Sequence, residues 1–260
     1  MNSDREWRLV QETYSPAMHM ALDEELTDRL ASGETRPTLR IWEWPTPAVV
    51  IGRFQALKDE VFEPMAKKNN IEIVRRMTGG GAMFTEPKNV ITYSLTLPED
   101  MLESNDILGS YRELEQWSVQ ALTDIGIDAE HKPVNDIITN GRKIGGSAQA
   151  RRDGVVLHHT MMAYDIDIKT MLQVLKIGKE KISDKAIKSA AKRVAPISEN
   201  TDLSRDEVLE QMISRFSEQT PLQEDSLSQA TIKNAEQRVK DKYGTDEWLY
   251  RVQRQFDETT

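Results

Sequence analysis

Three consecutive glycines, Gly79, Gly80 and Gly81, follow two residues after the β-like run IEIVRR (71–76), and no other feature limits the fold so sharply. A strand that runs into three residues without side chains must turn there, and its bare backbone leaves room for a ligand to approach closely. A second stretch, NDIITNGRKIGGSAQ (135–149), places Asp136 and Lys143 on either side of an Asn-Gly dipeptide, with two more glycines behind. Asn-Gly favours the two-residue hairpin turn whose twist suits paired strands. Together the two stretches describe a site that grips a phosphate-bearing molecule and neutralises charge developing on it. Each alone has a plainer reading. Glycine runs are commonly loops, and this one matches neither GxxxxGK[ST] nor GxGxxG. A lone lysine beside a turn is commonly solvated.

Composition narrows the classes. At 260 residues the chain has room for one large domain, or for a core with a small appendage. A net charge of −9 argues against general affinity for nucleic acid or an anionic membrane. No apolar run approaches the roughly 20 residues of a membrane-spanning helix, and MNSDREWRLV has no apolar signal core, so a cytoplasmic protein is expected. The chain has no cysteine, which removes disulfides, thiolate metal ligands and any thioester-forming nucleophile. The histidines, His19, His131, His158 and His159, show no HExxH or comparable spacing, so no catalytic zinc site is expected.

The order of elements reads as α+β. WRLVQE (7–12) predicts a strand, and Ser15 followed by Pro16 predicts a helix start, with Met18, Leu22, Leu26 and Leu30 as its buried stripe. TLRIWEW and AVVIG predict two strands, residues 58–69 a helix, VITYSLTL a strand, and 108–125 a long amphipathic helix. Asn140-Gly141 and Asp153-Gly154 predict a three-stranded antiparallel meander over 135–165. Beyond residue 168 the chain reads as helical and polar. The segment 176–193 carries six lysines and one arginine against two acids, either a solvated helix face or a basic segment that closes over phosphates. Ser204 predicts the cap of RDEVLEQMISRF, and a further helix is expected near 226–242.

If Asn140 and Gly141 form a two-residue turn, Ile138 pairs with Lys143, and the alternation of a regular strand puts Asp136, Lys143, Gly145 and Ser147 on one face. Asp136 then lies diagonally from Lys143, about 7–8 Å away at the backbone, within reach of long side chains. A phosphate, or a metal ion held by Asp136, fits between them; the alternative is a surface ion pair worth little.

At this point the residues resemble a known family. RRMTGGGAMF is similar to the RRxSGGGAVF motif of lipoate–protein ligases, and NDIITNGRKIGGSAQ with HHTMM is similar to their ND…GRKISGSA…HHG run, in order and spacing over roughly residues 7–215. The resemblance implies a biotin/lipoyl-protein-ligase-like α+β fold with a mixed main sheet, a smaller sheet and flanking helices. It implies ATP and Mg2+ as co-reactants, lipoic acid as the activated acid, and transfer of the lipoyl group from lipoyl-AMP to a lysine. The acceptor it implies is the lipoyl domain of a 2-oxoacid dehydrogenase or the glycine-cleavage H protein.

Position by position, the resemblance makes Lys143 the catalytic lysine. It places Arg76, Gly79, Gly80, Gly81, Ala82, Met83 and Phe84 on the ATP- and lipoyl-adenylate-binding motif. Asn135 and Asp136 fall near the phosphates, with Asp136 as the Mg2+ ligand; Ala148 and His159 fall in the second motif and the His pair. The stretch from Lys181 to Arg193 corresponds to the loop that folds over the adenylate. Some positions depart from the pattern: Thr85-Glu86 stands where His-Asp is usual, and Val134 where arginine is often found. A regular hairpin register also puts His158, not His159, on the face of Lys143, so the two readings disagree by one residue.

The expected organisation is a catalytic domain over 1–219 and a short helical extension over 220–260. That extension is below the usual domain minimum of roughly 50 residues, so the accessory domain of single-chain ligases is expected on a separate small subunit. The rival reading within the superfamily is an octanoyl or lipoyl transferase that moves the acyl group between carrier proteins without ATP. Members similar in size and tail to this chain use a cysteine nucleophile, which is absent here. A biotin ligase, or a non-catalytic binder of lipoyl domains or free lipoate, fits the two motifs less well.

Overall fold

The computed structural model describes residues 6–104, 106–177 and 184–253, without the side chains of 184–186. In chain order the elements are β1 (Trp7–Thr13), α1 (Pro16–Ala31), β2 (Thr38–Glu43), β3 (Ala48–Ile51), α2 (Leu57–Glu60) and α3 (Glu63–Lys68). There follow β4 (Glu72–Arg75), β5 (Met83–Thr85), β6 (Val90–Pro98), α4 (Ile107–Asp124), β7 (Ala129–Lys132) and β8 (Asp136–Thr139). Then come β9 (Arg142–Arg152), β10 (Val155–Ala163), α5 (Ile168–Val174), α6 (Asp184–Ala191), α7 (Arg205–Gln219), β11 (Leu222–Asp225), α8 (Gln229–Arg238) and α9 (Asp246–Leu249).

Eight strands form a mixed main sheet in the order β11-β1-β2-β6-β10-β9-β8-β7, and three form a smaller one, β4-β3-β5. Alternation along the strands sorts their side chains into separate cores. Leu39 and Ile41 of β2 turn toward α4 and α7, where Trp117 and Phe216 pack edge to face on one another. Trp42 turns the other way, toward α1 and toward Ala48 and Val50 of the smaller sheet. Val49 and Ile51 of β3 point to a third cluster with α3 and α5. The smaller sheet is therefore buried on both faces, and the space between the two sheets is where a ligand can enter.

Ser15 caps α1 with Pro16 in its first turn, as the sequence predicts. The predicted stripe understates the burial of this helix: His19, Asp23, Glu24 and Glu25 are buried as well, while Leu30 is only half-buried. Those acids are tolerated because each has partners. Glu24 receives Lys242 and Tyr243, and Glu25 receives Asn234 and Arg238, all from the last part of the chain. The helix expected over 58–69 is broken into α2 and α3, because Val61 leaves it to bridge Leu175 and Phe62 N–H donates to Val174 O at 2.8 Å. The helix expected near 226–242 starts later, at Gln229 under a Ser228 cap, and ends in a π-helical turn, Val239–Tyr243.

The meander forms, but not in the regular register. Ile138 pairs with Lys143 as expected, yet Ile137 pairs with Gly145 and Asp136 with Gly146, so Ile144 is an extra residue on β9. Such a bulge exchanges the faces of everything beyond it. Past residue 219 the chain is not only helical: β11 adds a parallel strand beside β1, and α8 packs on α1. Among the described residues no helix is long and apolar enough to cross a membrane.

Candidate functional site

A cavity of about 1200 Å³ opens between the sheets. Its floor is a row of paired residues across the main sheet. Trp42 of β2 is opposite Thr92 of β6, Thr92 opposite Met161 of β10, Met161 opposite Gly146 of β9, and Gly146 opposite Asp136 of β8. With strands about 4.8 Å apart, the three steps from Trp42 to Gly146 cover about 14 Å. The row is apolar at the Trp42 end and charged at the other, where Lys143 Nζ lies 2.6 Å from Asp136 Oδ1. Gly146 makes this possible. A Cβ there would sit 2.8 Å from Lys143 Nζ and 3.4 Å from Asp136 Oδ1, so the ammonium lies over a bare backbone.

The bulge also decides between the two histidines. His159 pairs with Ala148 and lines the cavity on the face of Lys143 and Gly146; His158 points to the opposite face, against α4. The face expected from a regular hairpin, with Gly145 and Ser147 beside Lys143, is thereby corrected to Gly146 and Ala148. Gly145 is instead pressed against β10, where a Cβ would meet Met161 O at 2.6 Å. Ser147 bonds Thr160 behind the sheet.

His159 is fixed from both sides. Its Nδ1–H donates to Asp23 Oδ2 at 2.9 Å, which leaves Nε2 to accept from the Thr78 hydroxyl at 2.7 Å. Asp23 in turn accepts from Arg40 Nη2 at 2.6 Å. Burial opposes ionisation of Asp23, but Arg40 and His159 outweigh it and hold the carboxyl down at about 2. Burial lowers the pKa of His159, against the pull of Asp23, so the ring is a neutral, oriented imidazole. Asp23 escaped the sequence reading; its only signal was an acid set among the apolar residues of ALDEEL.

The glycine loop is shaped by Arg76. This side chain, 4% exposed, donates to the carbonyls of Gly79 at 2.6 Å and Gly81 at 2.8 Å and to Thr78 Oγ1 at 3.0 Å. Burial lowers its pKa to about 10. Arg76 lines the cavity, but these donors are spent on the loop, which makes it the loop's organiser. Gly80 has φ +87°, a left-handed conformation, and a Cβ there would meet Arg76 Nη2 at 2.8 Å. Nothing lies within 4 Å of the Cβ position of Gly81, which lines the cavity with Ala82, Met83 and Phe84. Gly79 lies outside it, against the Phe54 ring. Gly52 was also missed: a Cβ there would fall 2.1 Å from Gly80 O, so two backbones cross at that point.

Asn135 lines the cavity and donates to Ser147 O at 2.5 Å. Asp136 anchors Lys143 from beside it. Among the described residues no group of three His, Cys, Asp or Glu side chains is placed to hold a metal ion. A single carboxylate beside a lysine suits Mg2+ that arrives on nucleotide phosphates, which needs only one or two carboxylates, better than a resident ion. Of the basic stretch between Lys181 and Arg193, residues 181–183 and the side chains of 184–186 lie outside what is described; Ser189, Ala190 and Arg193 line the cavity beside Lys143.

Comparison with known proteins agrees with this geometry. The chain is 29% identical to an octanoyltransferase LipM of Halalkalibacterium halodurans, over 94% of this chain and 99% of that one. Its fold superposes with a TM-score of 0.84 on a bi-partite lipoate protein ligase of Thermoplasma acidophilum, at 30% identity over 98% and 99% of the two chains. A lipoate-protein ligase A bound with ATP gives 0.82, at 30% identity over 94% and 98%. The family model of the lipoyl protein ligase A/B catalytic domain matches residues 15–217, and the chain belongs to that family.

Proposed function

We propose that the chain is the catalytic subunit of an ATP-dependent lipoate–protein ligase. The observation that carries this reading is the pairing of an apolar row, long enough to lay out a medium-length acyl chain, with Lys143 and an open glycine loop at its charged end. The cavity is larger than the usual range of about 300–1000 Å³ for one small ligand, which suits an acyl group and a nucleotide together. The ATP-bound and bi-partite ligases of the same fold support the same reading.

The chemistry follows from the positions. A lipoate carboxylate oxygen attacks the α-phosphorus of ATP; the bond to pyrophosphate breaks, and the mixed anhydride lipoyl-AMP remains. Lys143 stands where negative charge builds in that step. The glycine loop offers backbone N–H groups with no side chain in the way. Asp136 is the carboxylate that would hold a Mg2+ ion, which would supply further positive charge to the phosphates. In the second half-reaction an acceptor lysine amine attacks the acyl carbon, the C–N bond forms, and AMP leaves with the anhydride oxygen. His159, neutral and held by Asp23, orients the ligand through the cavity wall rather than as a charged group.

The name LipM among the relatives supports a second reading, acyl transfer between carrier proteins without ATP. Against it, the chain has no cysteine to carry the acyl group. The aligned Thr78–His159–Asp23 hydroxyl does not replace one, because Thr78 is buried and also accepts from Arg76 Nε.

The test is lipoate-dependent pyrophosphate release from Mg-ATP, with mass spectrometry for lipoyl-AMP, by the chain alone and with a small accessory subunit. Lipoyl-AMP formation that disappears in a folded Lys143→Ala variant is the expected result. Transfer from an octanoylated carrier protein without ATP, and no adenylate under either condition, overturns the ligase reading.

A further inference from the structure

Adjacent arginines at the end of β4 serve opposite sides of the glycine loop. Arg76 holds it from within, as described. Arg75, fully buried, points away from the cavity and donates only to backbone carbonyls. Nη1 reaches Gly52 O at 2.8 Å, Arg53 O at 3.2 Å and Gln55 O at 2.7 Å. Nε reaches Trp248 O at 3.0 Å, and Nη2 reaches Leu249 O at 2.5 Å. Trp248 returns the contact, its Nε1–H donating to Arg75 O at 2.9 Å. None of these partners is a carboxylate, so the buried cation is balanced by carbonyl dipoles from two segments that otherwise belong to different parts of the chain.

Those two segments have different neighbours. Residues 52–55 lie directly behind the glycine loop. Arg53 N–H donates to Thr78 O at 2.8 Å, Gly52 meets Gly80 backbone to backbone, and the Phe54 ring covers Gly79. Trp248 and Leu249 belong to the tail. It is held in place by Lys242 and Arg251, each over the Trp248 ring at 4.3 and 4.5 Å, and by Tyr250, whose hydroxyl donates to Glu63 at 2.5 Å.

We propose that the C-terminal segment around Trp248 and Leu249 is a latch that positions the glycine loop from behind, through Arg75 and residues 52–55. Arg75 is a positioning residue: it touches no ligand space, and its effect reaches the cavity through the loop. Removing the tail leaves the guanidinium with carbonyls on one side only. Water then takes the vacated side, and residues 52–55 lose the fixed point against which Gly79, Gly80 and Gly81 are set.

Hydrogen exchange followed by mass spectrometry tests this on the full chain, on a chain ending at Thr245, and on Arg75→Lys. Lysine keeps the charge, but its compact ammonium cannot span both sets of carbonyls. Exchange in peptides covering 49–57 and 75–85 is expected to accelerate by about tenfold in both variants, while β6 and β10 keep their protection. Unchanged exchange in those peptides, or an equal rise in β6 and β10, overturns the proposal. A second readout rests on the ligase reading above: KM for ATP rises more than kcat falls. Loop-confined exchange without any adenylation in the full chain would sink the ligase reading and leave the latch standing.

Discussion

The buried histidines define how single residues answer to pH. Burial, with Arg40 beside one ring and His159 and His131 near the other, pushes His19 and His158 down to about 3 from an ordinary 6.5. The unfolded chain therefore takes up protons from about pH 6.5 downward while the fold refuses them. The sign follows: stability falls as pH drops through that window, by up to about 1.4 kcal/mol per pH unit for each histidine. Urea midpoints measured from pH 7 to pH 4 should decline less steeply in His158→Gln than in the parent chain; equal slopes would show that His158 bears none of the dependence. At this scale the sequence was informative about chemistry and poor about direction. Lys143 and Gly81 stood out in the hairpin and the glycine run, Asn135 and His159 came from the family resemblance, and all four line the cavity. Asp23 and Gly52 were not, because their roles depend on contacts with residues far away in the chain, at His159 and Gly80.

Among the elements, the β9 bulge decides which side chains share the cavity face with Lys143. It was invisible in sequence: Ile144 is an ordinary strand residue, and only the pairing of Ile137 with Gly145 reveals the extra position. Its neighbours separate two kinds of glycine. Gly146→Ala would put a methyl 2.8 Å from Lys143 Nζ, the end of a flexible chain that can move aside. Turnover should fall by about 100-fold through misplacement of that ammonium, with little change in thermal midpoint. Gly145→Ala would drive the same methyl into Met161 O, a backbone atom, and should cost about 1–3 kcal/mol of stability in a denaturant titration. A reversed pattern would mean that the regular register holds in solution. Other elements were legible to the extent that local signals decided them. The Ser204 cap, with Glu207 completing a capping box, sets α7 where the sequence put it. The 58–69 helix failed because a bridge to Leu175, more than a hundred residues later, outweighed its helical pattern.

For the molecule as a whole, the described residues beyond Gln219 contribute to the core. Leu227, Ala235 and Tyr243 are buried in the cluster under α1, and the Tyr243 hydroxyl donates to Glu24 at 2.9 Å. A chain ending at Gln219 would uncover β1 and leave Glu24 and Glu25 short of partners. It should be insoluble or lack a cooperative thermal transition; a folded product of that length would mark a true domain border there. The sequence reading anticipated the mixed main sheet and the smaller one from the family resemblance, but not that the tail would enter the main sheet. Short polar strands such as LQED carry no periodic signal of their own. The parallel pairing of Trp7 with Leu222 has a further consequence during synthesis. The first strand leaves the ribosome with one flank open, and its neighbour there, beginning at Leu222, is made about two hundred residues later. The nascent chain thus carries an unpaired, adhesive flank until β11 emerges, and chaperone demand should fall once that strand has paired.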